Sequence, residues 1–293
     1  MTTTVILGTA TPGGGFPLYG GAFAETVNEA DPALHVEPRN TKGSTENIPL
    51  LEAGTLDIAL VTGEPAYEAW EGIGRARSDL TIITAMYSTA GMFVVRGDNR
   101  ARTIDDLKGK PVAFGAKGSG LTILSRYVLD GLGLDQNKDF QAIFLDKAGD
   151  GPAMVLDGRA AALWGGGVGW PGFAAVAEKG GRFIAPAPEE VTRIRAKHSF
   201  LKATTLPAGS YAGQNAAVNS VGSWSFVLAT PTLPDDVAYA LARALHKGHA
   251  AFAKRLAQAA ETTPQNTAAA APRPELIHPG VQRYLREIGI KSS

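Results

Sequence analysis

The chain has 293 residues, with 28 Lys plus Arg against 28 Asp plus Glu, 44% hydrophobic and 19% charged residues, and no cysteine. That length supports two domains with real cores, and the charge balance leaves no basic field for nucleic acid or an acidic membrane surface. The missing cysteine excludes disulfides, thiolate metal sites and a Cys nucleophile, and no apolar run approaches the ~20 residues that span a bilayer.

In chain order, a first strand is read at 5–7 and opens directly into Gly8-Thr9-Ala10-Thr11-Pro12-Gly13-Gly14-Gly15-Phe16. A helical pattern follows over 18–29. A second strand at 35–38 leads into Thr41-Lys42-Gly43-Ser44-Thr45-Glu46-Asn47, with a helix over 44–53 and a strand at 58–61. Twice, a strand ends in a Gly/Ser/Thr loop that begins a helix. Backbone N–H groups and small hydroxyls are thereby aimed at one place, which suits a small anion such as a carboxylate. A helix over 64–71 and a strand over 80–86 follow. Asp105-Asp106-Leu107 then reads as a short helix stopped at Gly109 and followed by a new strand. After it come the loop Gly115-Ala116-Lys117-Gly118-Ser119-Gly120 and an amphipathic helix over 121–132. Strand–helix alternation of this kind argues for a parallel α/β architecture.

Leu156-Asp157-Gly158-Arg159-Ala160-Ala161-Ala162-Leu163 repeats the pattern of residues 51–60, so the chain looks like two related halves. Each half places a Gly/Ser loop at the carboxyl ends of its strands, where open α/β sheets bind ligands. The stretch from Gly165 to Gly172 is read as too glycine-rich for a regular element, either a surface turn or a pocket lining, and Trp164 and Trp170 flank it. One long helix is expected over 234–260, with apolar positions at Val237, Leu241, Leu245 and Phe252. Residues 262–274 read as an exposed connector, and a last helix as 280–288.

Catalytic chemistry finds little support. Lys117 precedes its glycines, so the order of a nucleotide phosphate loop is missing, and neither Ser44 nor Ser119 sits in a nucleophile elbow. His246 and His249 share a helical face without a carboxylate at metal spacing, and His35, His198 and His278 are scattered. His278 stands beside Pro279-Gly280, where it is expected to shape the turn before the last helix. No carboxylate pair suits acid–base work, which favours binding over catalysis. No metal and no cofactor are expected. Ser44 and Ser119 are natural helix caps that can also touch a ligand. Phe16, Tyr19, Tyr87, Trp164, Trp170, Tyr211 and Trp224 fall near strand and loop ends, and aromatic walls with a few donors are common in small-molecule sites. Lys117, Arg39 and Arg182 read as solvated cations, with pairing to a ligand charge left open.

These pieces, in order, resemble a known family. They are Gly8-Thr9 through Gly13-Gly14 to Gly20; Gly43-Ser44-Thr45-Glu46-Asn47; Gly54-Thr55-Leu56-Asp57-Ile58-Ala59-Leu60; Asp105-Asp106-Leu107-Lys108-Gly109-Lys110-Pro111-Val112-Ala113; Gly118-Ser119-Gly120; Leu206-Pro207-Ala208-Gly209-Ser210-Tyr211-Ala212-Gly213-Gln214; and His278-Pro279-Gly280 through Gly289. The set resembles the TAXI-type solute receptors of TRAP transporters. The resemblance implies an α/β, two-lobed periplasmic binding protein of type II fold, each lobe a mostly parallel sheet flanked by helices, with a hinge and an interlobe cleft. It implies residues 1–90 with 215–293 as one lobe and 91–214 as the other. It also implies a non-enzymatic receptor that captures a small organic anion or amino acid and delivers it to an ion-driven membrane permease. The protein is then periplasmic, with its signal peptide removed from this chain, and has no nucleic-acid partner and no membrane insertion of its own. The ligand-binding residues carried over are Thr9, Thr11, Gly14, Phe16, Ser44, Thr45, Tyr87, Gly118, Ser119, Gly120, Trp164, Gly166, Trp170 and Tyr211.

Where the family has Thr or Ser and then Tyr after Gly14, this chain has Gly15 and Phe16; where it has Pro-Glu after Tyr87, this chain has Ser88-Thr89. The departures point away from glutamate and toward a carboxylate with a less polar or aromatic body. Two other readings remain open. One is a type II binding protein serving an ABC transporter, and the other a cytoplasmic enzyme that uses the glycine loops as an anion cradle.

Overall fold

The computed structural model describes residues 2–291; the outermost residues of the expected lobes, Met1, Ser292 and Ser293, lie outside that range. In chain order the elements are β1 Thr3–Gly8, α1 Gly15–Ala30, β2 Leu34–Arg39, α2 Ser44–Glu52, β3 Ile58–Val61, α3 Gly63–Glu71, β4 Thr81–Val95, β5 Pro111–Ala116, α4 Gly120–Gly131 and β6 Gln141–Leu145. There follow α5 Gly151–Leu156, β7 Ala162–Gly166, α6 Pro171–Ala177, β8 Arg182–Ile184, α7 Pro188–Lys197, β9 Lys202–Leu206, β10 Val218–Ala229, α8 Asp235–Arg255, α9 Pro264–Ala270 and α10 Pro279–Glu287. The fold is α/β, as the alternation predicts.

The chain divides into two compact units. One takes the residues up to Ala10, Phe16–Tyr87 and everything from Trp224 on; the other takes Thr11–Gly15 and Ser88–Ser223. The sequence reading set its lobe boundaries at 90/91 and 214/215 and kept 11–15 with the first lobe. The long strands β4 and β10 contribute residues to both units, so the chain passes from one to the other within each of them.

In the first unit the strand order is β2-β1-β3-β10-β4. β1 runs parallel to β2 and β3, while β10 lies antiparallel to β3, with Phe226 opposite Val61. Fully buried Leu7, Ile58, Leu60 and Val227 meet Tyr19, Phe23 and Val27 of α1 and Leu241 and Phe252 of α8 in one apolar cluster. The apolar spacing of α8 accounts for this, because Leu241, Leu245 and Phe252 recur on one face and are all buried. A second cluster covers the opposite face, with Leu51, Trp70, Ile82 and Phe226.

In the second unit the order is β10-β4-β7-β5-β6, with β9 against β10 and β8 against β4. β5 is parallel to β6 and β7, and β4 is antiparallel to β7, with Phe93 opposite Trp164. The helix–glycine–strand repeat read from the sequence recurs as α2–β3 in the first unit and α5–β7 in the second. Gly54 and Gly158 break the helices at φ +70° and +85°, a left-handed backbone that only glycine adopts easily.

Three sequence expectations are corrected. Gly165 and Gly166 belong to β7, and Pro171 and Gly172 open α6, so only 167–170 form the loop. The expected helix over 234–260 ends at Arg255 and gives way to a 3-10 turn at Ala257–Glu261. Residues 262–274 are no exposed connector: they contain α9, and Thr262, Thr267 and Ala268 are buried. Their hydroxyls hold β4, with Thr262 Oγ1 donating to the Met86 carbonyl (2.7 Å) and Thr267 Oγ1 accepting from the Ala85 amide (3.0 Å).

Candidate functional site

The carboxyl ends of β1 and β3 in the first unit gather buried Thr9, Ser44, Asn47, Thr62 and Glu64. α2 starts at Ser44 and α3 at Gly63, each directly after a strand or its loop, and neither has a side-chain cap on its first turn. The first N–H groups of a helix lack partners within it and carry the positive end of the helix dipole. Ser44 is fully buried, and its hydroxyl accepts the amide of Thr62 at 3.1 Å. That bond ties the starts of the two helices together. Asn47, on the first full turn of α2, donates its amide to the carbonyls of Thr9 and Leu60, 2.8 Å each, and so locks both strand ends to the helix.

Two polar atoms in this cluster are buried without a hydrogen-bond partner, the Thr62 hydroxyl and Asn47 Oδ1. Buried polar groups are almost always paired, because leaving one unmade costs about 1–3 kcal/mol. Both orphans lie where α2 and α3 begin, beside the Ser44 hydroxyl that joins the two helix starts. Glu64, 1% exposed, stands in the first turn of α3 and adds an acidic group to the region.

The candidates read from the sequence fall into several groups. Ser44 lies at the centre of this cluster, and Thr45 next to it is exposed. Thr9 is buried, but its hydroxyl donates to the Arg39 carbonyl at 2.9 Å and pins β1 to β2. Phe16 is half-buried against the first unit's core, and Tyr87 is buried edge-on to Tyr19, 5.5 Å between ring centres. Burial holds the Tyr19 phenol far above its ordinary pKa, and its oxygen shares a hydrogen bond with Thr262.

In the second unit, Thr11 Oγ1 accepts the Ala148 amide at 3.2 Å, which fastens the Thr11–Gly15 loop to the start of the 3-10 turn before α5; Gly14 is buried in that loop. Gly118, Ser119 and Gly120 form the start of α4, where half-buried Ser119 caps the helix by accepting the Leu121 amide. Trp164 is fully buried against Phe93 at 4.8 Å and donates its indole N–H to the Leu121 carbonyl. Its ring packs among the buried side chains of the second unit's core. Trp170 is likewise turned inward, packed over Gly165 and Gly172 and edge-on to Phe173. Tyr211 sits beside it: its hydroxyl donates to the Gly167 carbonyl and accepts the Trp170 amide, 2.7 Å each, closing the loop after Gly166. Burial raises the Tyr211 phenol pKa, so the group stays a neutral donor.

The surface cations pair locally, Arg39 with Glu37 and Lys117 with Asp146, while Arg182 donates to the carbonyls of Asn99 and Ala101. His246 bonds the Tyr284 hydroxyl and His249 the Ala260 carbonyl. His278 shapes the start of α10, where its Nδ1 accepts the Gly280 amide. The sequence reading missed Thr62 and Asn47. The signal for Thr62 was available, because Thr-Gly-Glu-Pro directly after an apolar strand is a helix-start pattern.

None of the described helices is long and apolar enough to cross a membrane. A profile of the NMT1-like family matches residues 7–289. Among solved structures, the chain is similar to a periplasmic transporter at 16% identity and TM-score 0.62, covering 99% of this chain and 98% of that one. It is similar to MatC of Rhodopseudomonas palustris, solved with bound malate, at 14% identity and TM-score 0.60, covering 97% and 96%. The substrate-binding protein of an amino acid ABC transporter matches at 14% identity and TM-score 0.51, covering 87% and 97%. At these identities the likeness is one of fold, and the fold is that of periplasmic binding proteins.

Proposed function

The chain belongs to the NMT1-like family, and from that premise we propose that it is a periplasmic solute receptor that binds a small organic carboxylate by hydrogen bonding alone. The observation that carries the reading is the junction of α2 and α3. There the Ser44 hydroxyl joins two helix N-termini beside an unpartnered buried Thr62 hydroxyl. A carboxylate accepts hydrogen bonds on both oxygens and takes the place that helix N-terminal amides favour for an anion. Malate in MatC and the amino acid for which the ABC-type neighbour is titled are both small organic carboxylates. Because Trp164 and Trp170 are turned into the core, ring contacts fall to Phe16, and an aromatic body is less favoured than the sequence alone implies.

For delivery, we propose a TRAP-type membrane subunit, on the ordered motifs that resemble the TAXI receptors. The likeness to an ABC-transporter binding protein favours a second reading with an ATP-driven permease. Gene neighbours decide between them, a large TRAP membrane subunit or an ATPase.

A thermal-shift screen against hydroxy acids, dicarboxylates, amino acids and aryl acids tests the function. A solute at a hundred times its dissociation constant stabilises the protein by about 2.7 kcal/mol. Stabilisation by one class of carboxylate is expected. No shift across the panel, with native mass spectrometry showing the protein free of a copurified small molecule, overturns the reading.

A further inference from the structure

Two columns of apolar side chains in the first unit's sheet end in hydroxyls at the same level. β3 and β10 pair antiparallel, with Ala229 opposite Ile58, Val227 opposite Leu60 and Phe226 opposite Val61. Side chains alternate between the faces of a strand, and the packing follows this alternation. Phe226 and Val61 join the apolar cluster on one face, and Val227, Leu60, Ala229 and Ile58 join the cluster on the other. One step further along the same register, Ser225 of β10 stands opposite Thr62, the residue that follows β3. Both continue the columns of Leu60 and Val227, and residues directly opposite have Cβ atoms about 4.5–5.5 Å apart.

Both hydroxyls are deeply buried, with Thr62 7% and Ser225 1% exposed, and neither oxygen has a hydrogen-bond partner. Although they face each other across the ladder, they do not bond each other. Other buried hydroxyls of this unit are satisfied: Thr26 donates to the Ala22 carbonyl, Thr81 to that of Ala229 and Thr262 to that of Met86. Alanine or valine at positions 62 and 225 would continue the apolar columns and leave no bond unmade, so the fold alone does not call for a hydroxyl at either place.

Their position says what such a pair would hold. Thr62 directly precedes the nine-residue helix α3, whose N-terminal dipole favours an anion. Its amide is already bound to the Ser44 hydroxyl, which leaves its side chain as the donor. A carboxylate has two accepting oxygens and can take one hydroxyl on each. Phe16 packs in the cluster on the same face as the pair, where it offers apolar surface to the body of a solute. We propose that Thr62 and Ser225 act as one donor pair that holds the carboxylate of the solute. The proposal rests on the carboxylate reading above and adds to it a binding residue from the strand β10. Buried Glu64, two residues beyond Thr62, has the opposite preference and would favour a cation, so the test includes an amine.

The test is calorimetric titration of the wild type, Ser225→Ala, Thr62→Val and the double variant with L-malate, L-glutamate, benzoate and ethanolamine, alongside urea unfolding of each protein. The Ser225→Ala protein should lose about tenfold in affinity for the carboxylate that the wild type binds, with an unchanged or slightly higher urea midpoint. The double variant should lose less than the product of the two single losses, because groups that share one partner are coupled. Four outcomes overturn the proposal: unchanged affinity in Ser225→Ala, a fall in its urea midpoint that accompanies the lost affinity, single losses that multiply without coupling, and ethanolamine binding that the variants abolish. Carboxylate binding that survives Ser225→Ala sinks this proposal and leaves the receptor reading standing, whereas a wild type that binds none of the three carboxylates sinks both.

Discussion

Leaving a buried hydroxyl unpaired costs about 1–3 kcal/mol, and Thr62 carries such a hydroxyl where two helices begin. Replacing it with valine removes the orphan and keeps the branched shape. The Thr62→Val protein should therefore unfold at an unchanged or slightly higher denaturant concentration, while its affinity for the carboxylate solute falls about tenfold, the worth of one hydrogen bond. Urea unfolding and calorimetric titration read the two effects separately; a loss of stability would mean that Thr62 serves the fold instead. His278 shows the reverse case of a fully satisfied buried group. Its Nδ1 accepts the Gly280 amide and its Nε2 donates to the Leu233 carbonyl, so the ring is neutral. Burial lowers its pKa below the ordinary 6.5, although the Asp235 carboxylate 3.8 Å away opposes the shift. A depressed histidine pKa means that the unfolded chain binds the proton more readily. Stability from this group is therefore complete above pH 6.5 and declines as the pH falls below it. Urea midpoints measured from pH 7.5 down to 5 should fall, and His278→Gln should flatten that slope.

Glycine decides one pairing of elements outright. A Cβ on Gly222 of β10 would lie 1.5 Å from the Thr89 carbonyl oxygen of β4, a backbone atom with no room to yield. Gly222→Ala should cost more than about 3 kcal/mol, at the upper end of overpacking effects, and thermal denaturation would show it. The same strand explains what the sequence hides. Val218-Asn219-Ser220-Val221-Gly222-Ser223 is poor in strand formers, so propensity gives no hint of the first half of β10. It is held by its neighbours, with Ser220 donating to the Gly91 carbonyl and a ladder to β9. By contrast, β3 at Ile58–Val61 is legible to the residue, because a short apolar run after a glycine turn has few alternatives. Residues 262–274 misled for a chemical reason: threonine and alanine look like linker, yet two of the threonines serve as hydrogen-bonding pegs under β4. In the candidate site, Ser44 was legible from its Gly-Ser-Thr context. The inward turn of Trp164 and Trp170 was not, since sequence proximity to a glycine loop carries no information about where a ring points.

At the scale of the whole molecule, zero net charge provides no long-range attraction to a polyanion, so recognition has to be local. Carboxylate binding among the helix ends and hydroxyls of the first unit should change little as ions are added, because burial shields those charges from screening. Calorimetric titration of the solute over a salt series would show it, and a steep loss of affinity would place the solute at an exposed charge instead.

In the first unit's sheet, β10 lies between β3 and β4. On the ribosome the strand that joins β3 to β4 is therefore the last of that sheet to arrive. Everything in the second unit has been synthesised by Ser223, but β4 cannot join the strands made before it until residues past Trp224 emerge. At about 5–20 residues per second, the nascent chain holds an open gap in its earliest sheet for several seconds. Hydrogen exchange on ribosome-stalled chains that end near Ser223 should then show β5–β7 amides protected and those of β3 still open. Until β10 emerges, the edges of β3 and β4 that it will cover stand open, the kind of unpaired strand edge that favours aggregation.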